Sequence, residues 1–447
     1  LSNLIQLSFL DSAVDLKAAR ISTDFGTFKD NLRAPIHSWF QYPAGYSYKF
    51  VESMLDRFNI KNGDWVYDPF SGTGTTLLSA RQQGINSYGV EAHAFVHWVA
   101  QVKLAYDYDL SMLYQQIESL LTRCAVRIEH QSHTSSVEGV FPDLIYKCYH
   151  PQDLQVLYLL REFVNTESIE PALRNLCKLA LTNTLRLAAA AGTGWPYVSP
   201  RKNTGDKPPK NAFVIFQRIL RKMYTDLKKV LPNLAGGITT QNIHGDSRQR
   251  QNLADEQIGI VITSPPYLNN YDYADRTRLE VYFWGIARTW KDITEAYRNN
   301  LMVAATTQIT RSQYQVETAL TREIDAIAPN VYKTVQSAVL RLAEERTQKG
   351  GKKDYDLMTA LYFNDILRVM WETYRVLRAG GHFCLVLGDS APYGIHIATD
   401  ELIGQLGLGI GFQHFDYHIL RQRGGKWKAN PQRHNVPLRE GIVILTK

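Results

Sequence analysis

Cysteine is scarce in this sequence. Cys124, Cys148, Cys177 and Cys384 are the only four in 447 residues, and no pair has Cys-x-x-Cys spacing. This argues against a disulfide scaffold or a thiolate zinc site and for a reducing compartment. Long apolar runs are also missing, since no stretch approaches the ~18 apolar residues of a membrane span. Positions 1–30 carry Asp11, Asp15, Lys17, Arg20 and Asp24 and lack the basic-then-apolar order of a secretion signal. Repeats and low-complexity tracts are absent. No histidine spacing suggests a metal, and a packed helix face explains His93 and His97. The expectation is a cytoplasmic protein with no membrane partner and no metal.

Hydrophobic residues make up 45% and charged residues 21%, which rules out wholesale disorder. The chain is too long for one simple core, as domains commonly run ~100–200 residues. A net charge of +7 is modest and matters only where it gathers. The 25 tyrosines and 8 tryptophans suit base stacking, but equally plain core packing.

Local patterns predict an α/β sheet interrupted by helical segments. Strands are expected at 64–68, 87–91, 237–244, 258–263 and 382–387, with a closing hairpin from 417–420 and 441–446. Helices are expected at 75–83, 110–128, 154–164, 173–191, 212–231 and 357–377, and 290–350 reads as mostly helical. Gly380-Gly381 should stop the 357–377 helix, and 198–212 reads as a polar loop.

Two loops carry the chemistry. Asp68-Pro69-Phe70-Ser71-Gly72-Thr73-Gly74-Thr75-Thr76 lies between a strand and a helix, where glycines let backbone approach a ligand. Glu91, ending the next strand, is placed for ribose hydroxyls. Alone, this turn is equally a cofactor loop or a structural turn, and without Gly-Lys-Ser/Thr it is not a P-loop. The second loop, Thr263-Ser264-Pro265-Pro266-Tyr267, follows an apolar strand. Its prolines stiffen the loop, its carbonyls and the Ser264 hydroxyl accept hydrogen bonds, and Tyr267 offers a flat face. By itself it is a Pro-Pro stop signal.

Together the two loops resemble the amino-group DNA methyltransferases that use S-adenosylmethionine. That resemblance implies a Rossmann-like class I methyltransferase sheet with helices on both faces. His37, Tyr42 and Pro43, in the segment 36–46, match the part that holds the cofactor's methionine. Asp68, Pro69, Phe70, Ser71, Gly72, Gly74 and Thr75 would form the glycine loop, and Glu91 would bind ribose. Asp246 and Ser247, in His-Gly-Asp-Ser, match the adenine-reading motif. Ser264 and the Pro265 carbonyl, with Pro266 and Tyr267 beside them, would hold a flipped base for direct in-line transfer, leaving S-adenosylhomocysteine. Cytosine C5 chemistry needs a cysteine, normally after Pro, and no cysteine here follows Pro. Ser264 favours cytosine N4 over adenine N6. RNA amine methylation and a non-catalytic nucleic-acid-binding module are the remaining rivals.

Asn269 and Tyr271 lie after the catalytic loop and would line the base pocket or a solvated loop. Asp389 sits at a strand end, in the crevice or capping a helix. Basic loops carrying Trp195, Arg201, Lys202 and Lys210, and Arg421, Arg423, Lys426 and Arg433, suit contacts to double-stranded DNA. A solvated basic face is the simpler reading of the helix over 218–229. The implied organisation is 1–105, N-terminal segment and cofactor half; 106–236, helical insertion and candidate target-recognition region, with 285–350 as a rival; 237–284, catalytic half; 285–350, second insertion; and 351–447, the rest of the core with a basic loop. A cognate restriction endonuclease or a defence-system subunit would be the protein partner.

Overall fold

A computed structural model describes residues 22–42, 45–131, 136–193, 198–200, 204, 208–348, 351–423 and 436–447. A helix, α1 (Tyr48–Arg57), precedes the first strand, β1 (Trp65–Asp68). Then come α2 (Thr75–Gln82), β2 (Asn86–Glu91) and α3 (Ala94–Leu104). Five helices follow: α4 (Leu110–Gln131), α5 (Asp143–Tyr146), α6 (Pro151–Thr166), α7 (Pro171–Ala188) and α8 (Ala212–Val230). The chain re-enters the sheet at β3 (Thr240–His244) and β4 (Ile258–Thr263). It leaves again through α9 (Arg278–Phe283), α10 (Trp290–Ala296), α11 (Arg322–Ile327), α12 (Pro329–Gln348) and α13 (Tyr355–Val376). The last elements are β5 (Leu377–Gly388), α14 (Thr399–Ile410), β6 (His414–Arg423) and β7 (Leu438–Thr446).

The seven strands lie in the order β3-β2-β1-β4-β5-β7-β6. The first five are parallel, and β7 runs antiparallel to both β5 and β6. The chain therefore moves outward from β1 to β3 and returns to place β4 beside β1. A sheet that reverses in this way opens a crevice outside the carboxyl ends of its strands at the switch point.

Helices cover both faces, and strand alternation shows why. Tyr67, Val261, Phe383, Leu385, Val443 and Leu445 point to the side packed by α12, α13 and α14. Val66, Ile260, Ile262, Cys384, Val386, Ile442 and Ile444 point to the side covered by α1. Each fully buried side chain of this size contributes roughly 1.5–3 kcal/mol, and the period of two explains why these strands read as unbroken apolar runs. Helices α4 to α8 share a third core with α2 and α3, centred on residues such as Leu120, Leu160, Leu181 and Phe216.

Two expectations change. Gly380-Gly381 does not stop a helix, because α13 ends at Val376 and β5 starts at once. Register jumps from Ile258–Leu377 to Ile260–His382, so residues 378–381 bulge opposite Gly259, with Gly380 at φ +71°. Within 290–350, the stretch from 298 to 318 forms only isolated single turns. Its Asn, Thr and Val residues are weak helix formers, and no apolar stripe compensates.

Candidate active site

The glycine loop leaves β1 at Asp68 and enters α2 at Thr75. Gly72 and Gly74 take φ +52° and +82°, values that glycine adopts without a Cβ penalty. The Gly72 N–H donates to Glu91 Oε2 at 2.9 Å, and the His93 N–H donates to Oε1 at 2.7 Å. The end of β2 is thereby stitched to the loop. Burial raises Glu91 to about 7, against the lowering effect of those two backbone donors. Beneath the loop, Lys103 is fully buried and donates to the Thr73 carbonyl at 2.7 Å. Burial pushes its ammonium down to about 7.

The Pro-Pro loop begins where β4 ends, beside β1. Thr263 Oγ1 donates to Asp68 Oδ1 at 2.6 Å, the Tyr46 hydroxyl donates to Oδ2 at 2.7 Å, and the Phe70 N–H donates to Oδ1 at 3.0 Å. Asp68 is wholly buried, which raises its pKa against these donors. Its carboxylate joins the segment before α1, the glycine loop and the end of β4. Farther along, the Arg423 guanidinium stands over the Tyr267 ring, 5.3 Å from its centroid. Its Nη2 donates to Asn270 Oδ1 at 3.2 Å, and its Nη1 donates to the Asp389 carbonyl at 3.3 Å.

Beyond β3, Asp246 accepts from its neighbour Arg248 through Nε at 2.9 Å and Nη2 at 2.9 Å. The same guanidinium reaches Asp365 at 3.0 Å and the Asn300 carbonyl at 3.3 Å. Asp365 also takes the Val303 N–H at 2.8 Å. This network brings the stretch after α10 to the site. Gln308 holds it from within, accepting from Ala304 and Ala305 at 2.8 and 2.9 Å and donating to the Met302 carbonyl at 2.9 Å.

These walls line a cleft at the switch point, where ligands of such sheets bind. Tyr42, Tyr46, residues 69–73, Thr75, residues 90–93, Asp246, Ser247, Ser264, Pro266, Asp272, Tyr273, residues 300–302 and Gln308 line the cleft. An adenosyl-sulfonium ligand fits this set. Acidic groups stand at the ends of β2 and β3, open backbone lies at the glycine loop, and Leu301 and Met302 supply an apolar wall. Burial lowers His93 to about 3, so its imidazole is neutral; Nε2 pairs with Thr277 Oγ1 at 2.9 Å and Nδ1 has no partner. No cluster of metal-ligating residues exists among the described residues.

Of the expected site residues, Tyr42, Pro69, Phe70, Ser71, Gly72, Thr75, Glu91, Asp246, Ser247, Ser264 and Pro266 meet around this cleft. Gly74 caps α2 behind it, and Pro265 and Tyr267 are buried next to Ser264 and Pro266. Asp68 stands behind the wall as a bracket between loops, not on it. His37 is buried 5.2 Å from the Tyr48 ring, away from the lining, with neither ring nitrogen partnered. The Asn269 N–H bonds the Ala304 carbonyl at 2.9 Å, and Tyr271 lies edge-on to Tyr273.

Among the described residues, the basic side chains expected to contact DNA have partners within the chain. Lys210 Nζ caps the end of α7 through the Leu187 and Ala189 carbonyls at 3.1 and 2.6 Å. Arg421 pairs with Glu440 at 3.0 Å, and Arg423 is drawn inward over Tyr267. Asp389 is buried and accepts from the Arg439 N–H and His396 Nε2, each at 2.7 Å, so it neither caps α14 nor faces the cleft. On α8, Arg221 pairs with Glu118 and Lys222 with Asp226, which fits the solvated-face reading. Pro43, Trp195, Arg201, Lys202, Lys426 and Arg433 lie outside the described residues.

Sequence reasoning missed Asn300, Leu301, Met302 and Gln308, which sit in irregular chain with no motif. It also missed the inward roles of Arg248 and Arg423. An arginine two residues after the acidic motif was the only available hint.

Strand order, switch-point cleft and the paired loops define an α/β, Rossmann-like methyltransferase fold. Residues 22–101 match the family model described as DNA methylase, the N6/N4 methyltransferases. Over 94% of its length the chain is 24% identical to the type II methyltransferase M.BsoBI of Geobacillus stearothermophilus, covering 87% of that protein. It is 20% identical to M.AvaI of Nostoc sp. over 88% of the chain and 82% of the relative. It is likewise 20% identical to M.MvaI of Kocuria varians over 94% and 93%. In this segment and in its overall likeness to these relatives the chain resembles the amino-group DNA methyltransferases.

Proposed function

We propose that this protein methylates the exocyclic N4 of cytosine in double-stranded DNA, with S-adenosylmethionine as methyl donor. One observation carries the reading: Ser264 and Pro266 open onto the same cleft as Gly72 and Glu91. A hydroxyl acceptor for an amine and a cradle for a cofactor share one cleft. The choice of cytosine over adenine is supported by Ser264 as the first residue of the motif.

When bound, the cofactor supplies an electrophilic methyl group on a sulfonium. Glu91 would accept from its ribose hydroxyls, and Asp246 from its adenine amine. An exocyclic amine is a poor nucleophile because its lone pair is delocalised into the ring. The Ser264 hydroxyl and the Pro265 carbonyl accept from the two amine hydrogens and pull the nitrogen toward tetrahedral geometry. This frees the lone pair without a covalent enzyme intermediate. The amine is paired inside a duplex, so the base has to leave the stack to reach Ser264, where Tyr267 supplies an aromatic face. Arg423 holds Tyr267 and Asn270 for that purpose.

Target recognition is assigned to 106–236, the helices between α3 and β3. The rival, 285–350, commits Asn300, Leu301, Met302 and Gln308 to the cleft. A partner endonuclease and a role in restriction–modification belong to the same proposal, supported by likeness to relatives named as type II methyltransferases. No helix among the described residues is long and apolar enough to cross a membrane.

Mass spectrometry of nucleosides from DNA treated with the protein tests the reading. N4-methylcytosine is the expected product. N6-methyladenine would move the target to adenine, and neither product on DNA but methylation of RNA would overturn the substrate class.

A further inference from the structure

A groove lies between α12 and α14, and its lining shares no residue with the cleft. Helix α12 buries Val335, Ala338, Val339 and Leu342 and leaves Lys333, Ser337 and Arg341 exposed along the groove. Positions four apart share one helix face, so these three follow one another at steps of ~6 Å along the axis. Among the described residues, neither the Lys333 nor the Arg341 side chain has an ion pair or a hydrogen bond. On the facing wall stand His396 and one acid, Glu401, which accepts from Gln405 Nε2 at 3.3 Å. Two unpaired cations with a hydroxyl between them suit a row of anions.

The facing wall is fixed at the carboxyl end of β5. The Ser390 and Ile397 backbones pair across the intervening loop at 3.1 and 2.8 Å. Tyr393 between them is left-handed at φ +50°, a costly conformation for a residue with a Cβ. Lys353 holds it there, its N–H donating to the Tyr393 hydroxyl at 2.9 Å. From the groove, His396 Nε2 meets Asp389 at 2.7 Å, the Asp389 carbonyl accepts from Arg423 at 3.3 Å, and Arg423 stands over Tyr267. Three contacts thus lead from the groove wall to the aromatic face offered to the target base.

We propose that this groove holds the backbone of the DNA duplex beside the target, with Lys333 and Arg341 each neutralising a phosphate, an inference that rests on the proposed function. Lys333 and Arg341 are ~12 Å apart along α12, the rise of three to four nucleotides at 3.4 Å per step of one strand. A base drawn out to Tyr267 stays attached to its strand, so the flanking phosphates are the polyanion delivered to this side of the molecule. Such contacts place the duplex without reading it, which is compatible with target recognition by 106–236.

Fluorescence anisotropy on the full chain tests it, with S-adenosylhomocysteine present, two duplexes of unrelated sequence, and salt from 50 to 200 mM. Each phosphate contact contributes ~0.9 to the log–log slope of affinity against salt. The variant carrying Lys333→Gln and Arg341→Gln should lose ~1.8 from that slope, so over this fourfold range the wild type loses ~12-fold more affinity than the variant. The change should be equal on both duplexes. Affinity for S-adenosylhomocysteine and the melting temperature should stay at wild-type values, because both side chains are exposed and unpaired. Lys61→Gln, exposed before β1 at the amino ends of the parallel strands, controls for net charge and should keep the wild-type slope. An unchanged slope in the double variant would overturn the inference, as would an equal change per charge in Lys61→Gln. A loss confined to one duplex would mean sequence reading and overturn it too. Wild-type protein that neither binds nor methylates duplex DNA would remove the proposed function itself, whereas methylation with an unchanged slope would remove the groove alone.

Discussion

A proton on Glu91 is the simplest perturbation of the cleft. Burial lifts its carboxyl from the ordinary 4.5 to about 7, and its two oxygens already accept from Gly72 and His93. Ribose hydroxyls donating to the remaining lone pairs favour the ionised form, so cofactor binding and protonation compete. With a pKa near 7 in the free protein, apparent affinity should be ~2-fold below its plateau at pH 7. It should be ~11-fold below at pH 6 and ~100-fold below at pH 5. The unliganded fold responds with the opposite sign. Between 4.5 and about 7 the native state holds a proton that the unfolded chain has released, so stability falls as pH rises through this window. The full shift corresponds to roughly 3 kcal/mol. His93, held near 3 by burial, stays neutral throughout and does not blur the result. Calorimetric titration with S-adenosylhomocysteine from pH 5.5 to 8.5 reads the slope directly, and E91Q should bind weakly and flatten it. A flat wild-type profile, or an E91Q profile that keeps the slope, would refute the reasoning.

Ser264→Ala should lower single-turnover methylation ~100-fold while leaving S-adenosylhomocysteine affinity within a factor of two, as expected for a group that acts on the target amine; equal loss in both would return Ser264 to a structural role. Arg423→Met removes the cation over Tyr267 and the bond to Asn270, so turnover should fall about 10-fold with cofactor affinity intact. Unchanged turnover would make that contact incidental. Arg248→Ala leaves Asp246 and Asp365 without their shared cation, so amide exchange at 300–303 should quicken and cofactor affinity should drop several-fold. Exchange unaltered in that segment would disconnect it from Arg248.

The parts of the molecule that were legible in the sequence are those encoded locally. Alternating or continuous apolar strands, a glycine turn and a Pro-Pro loop each state their geometry within a few residues, so the sheet and the paired loops were readable. What stayed hidden depends on partners far apart in the chain. The bonds that Asp68 makes to Tyr46 and Thr263 leave no local mark in the sequence. Lys210 reads as a free cation until α7 presents its last carbonyls. Arg423 reads as a DNA contact until the β6–β7 pairing folds it onto Tyr267. The cleft wall at 300–308 has neither periodicity nor motif, and only the Arg248 network brings it there. Gly380-Gly381 shows the converse case, in which a strong local stop signal became a bulge because β5 still had to pair with β4.

The Asp68 bracket also makes a statement about descent. Its carboxylate binds a hydroxyl supplied from position 46 and another from position 263, on segments that meet only in the folded sheet. A lineage that replaces Asp68 with an apolar residue leaves the buried Thr263 hydroxyl without its acceptor, and one that loses either hydroxyl removes one of the acid's three donors. The three positions are therefore physically coupled. Changes at 46, 68 and 263 should appear together in divergent relatives, including any in which the order of the two loops along the chain has been exchanged.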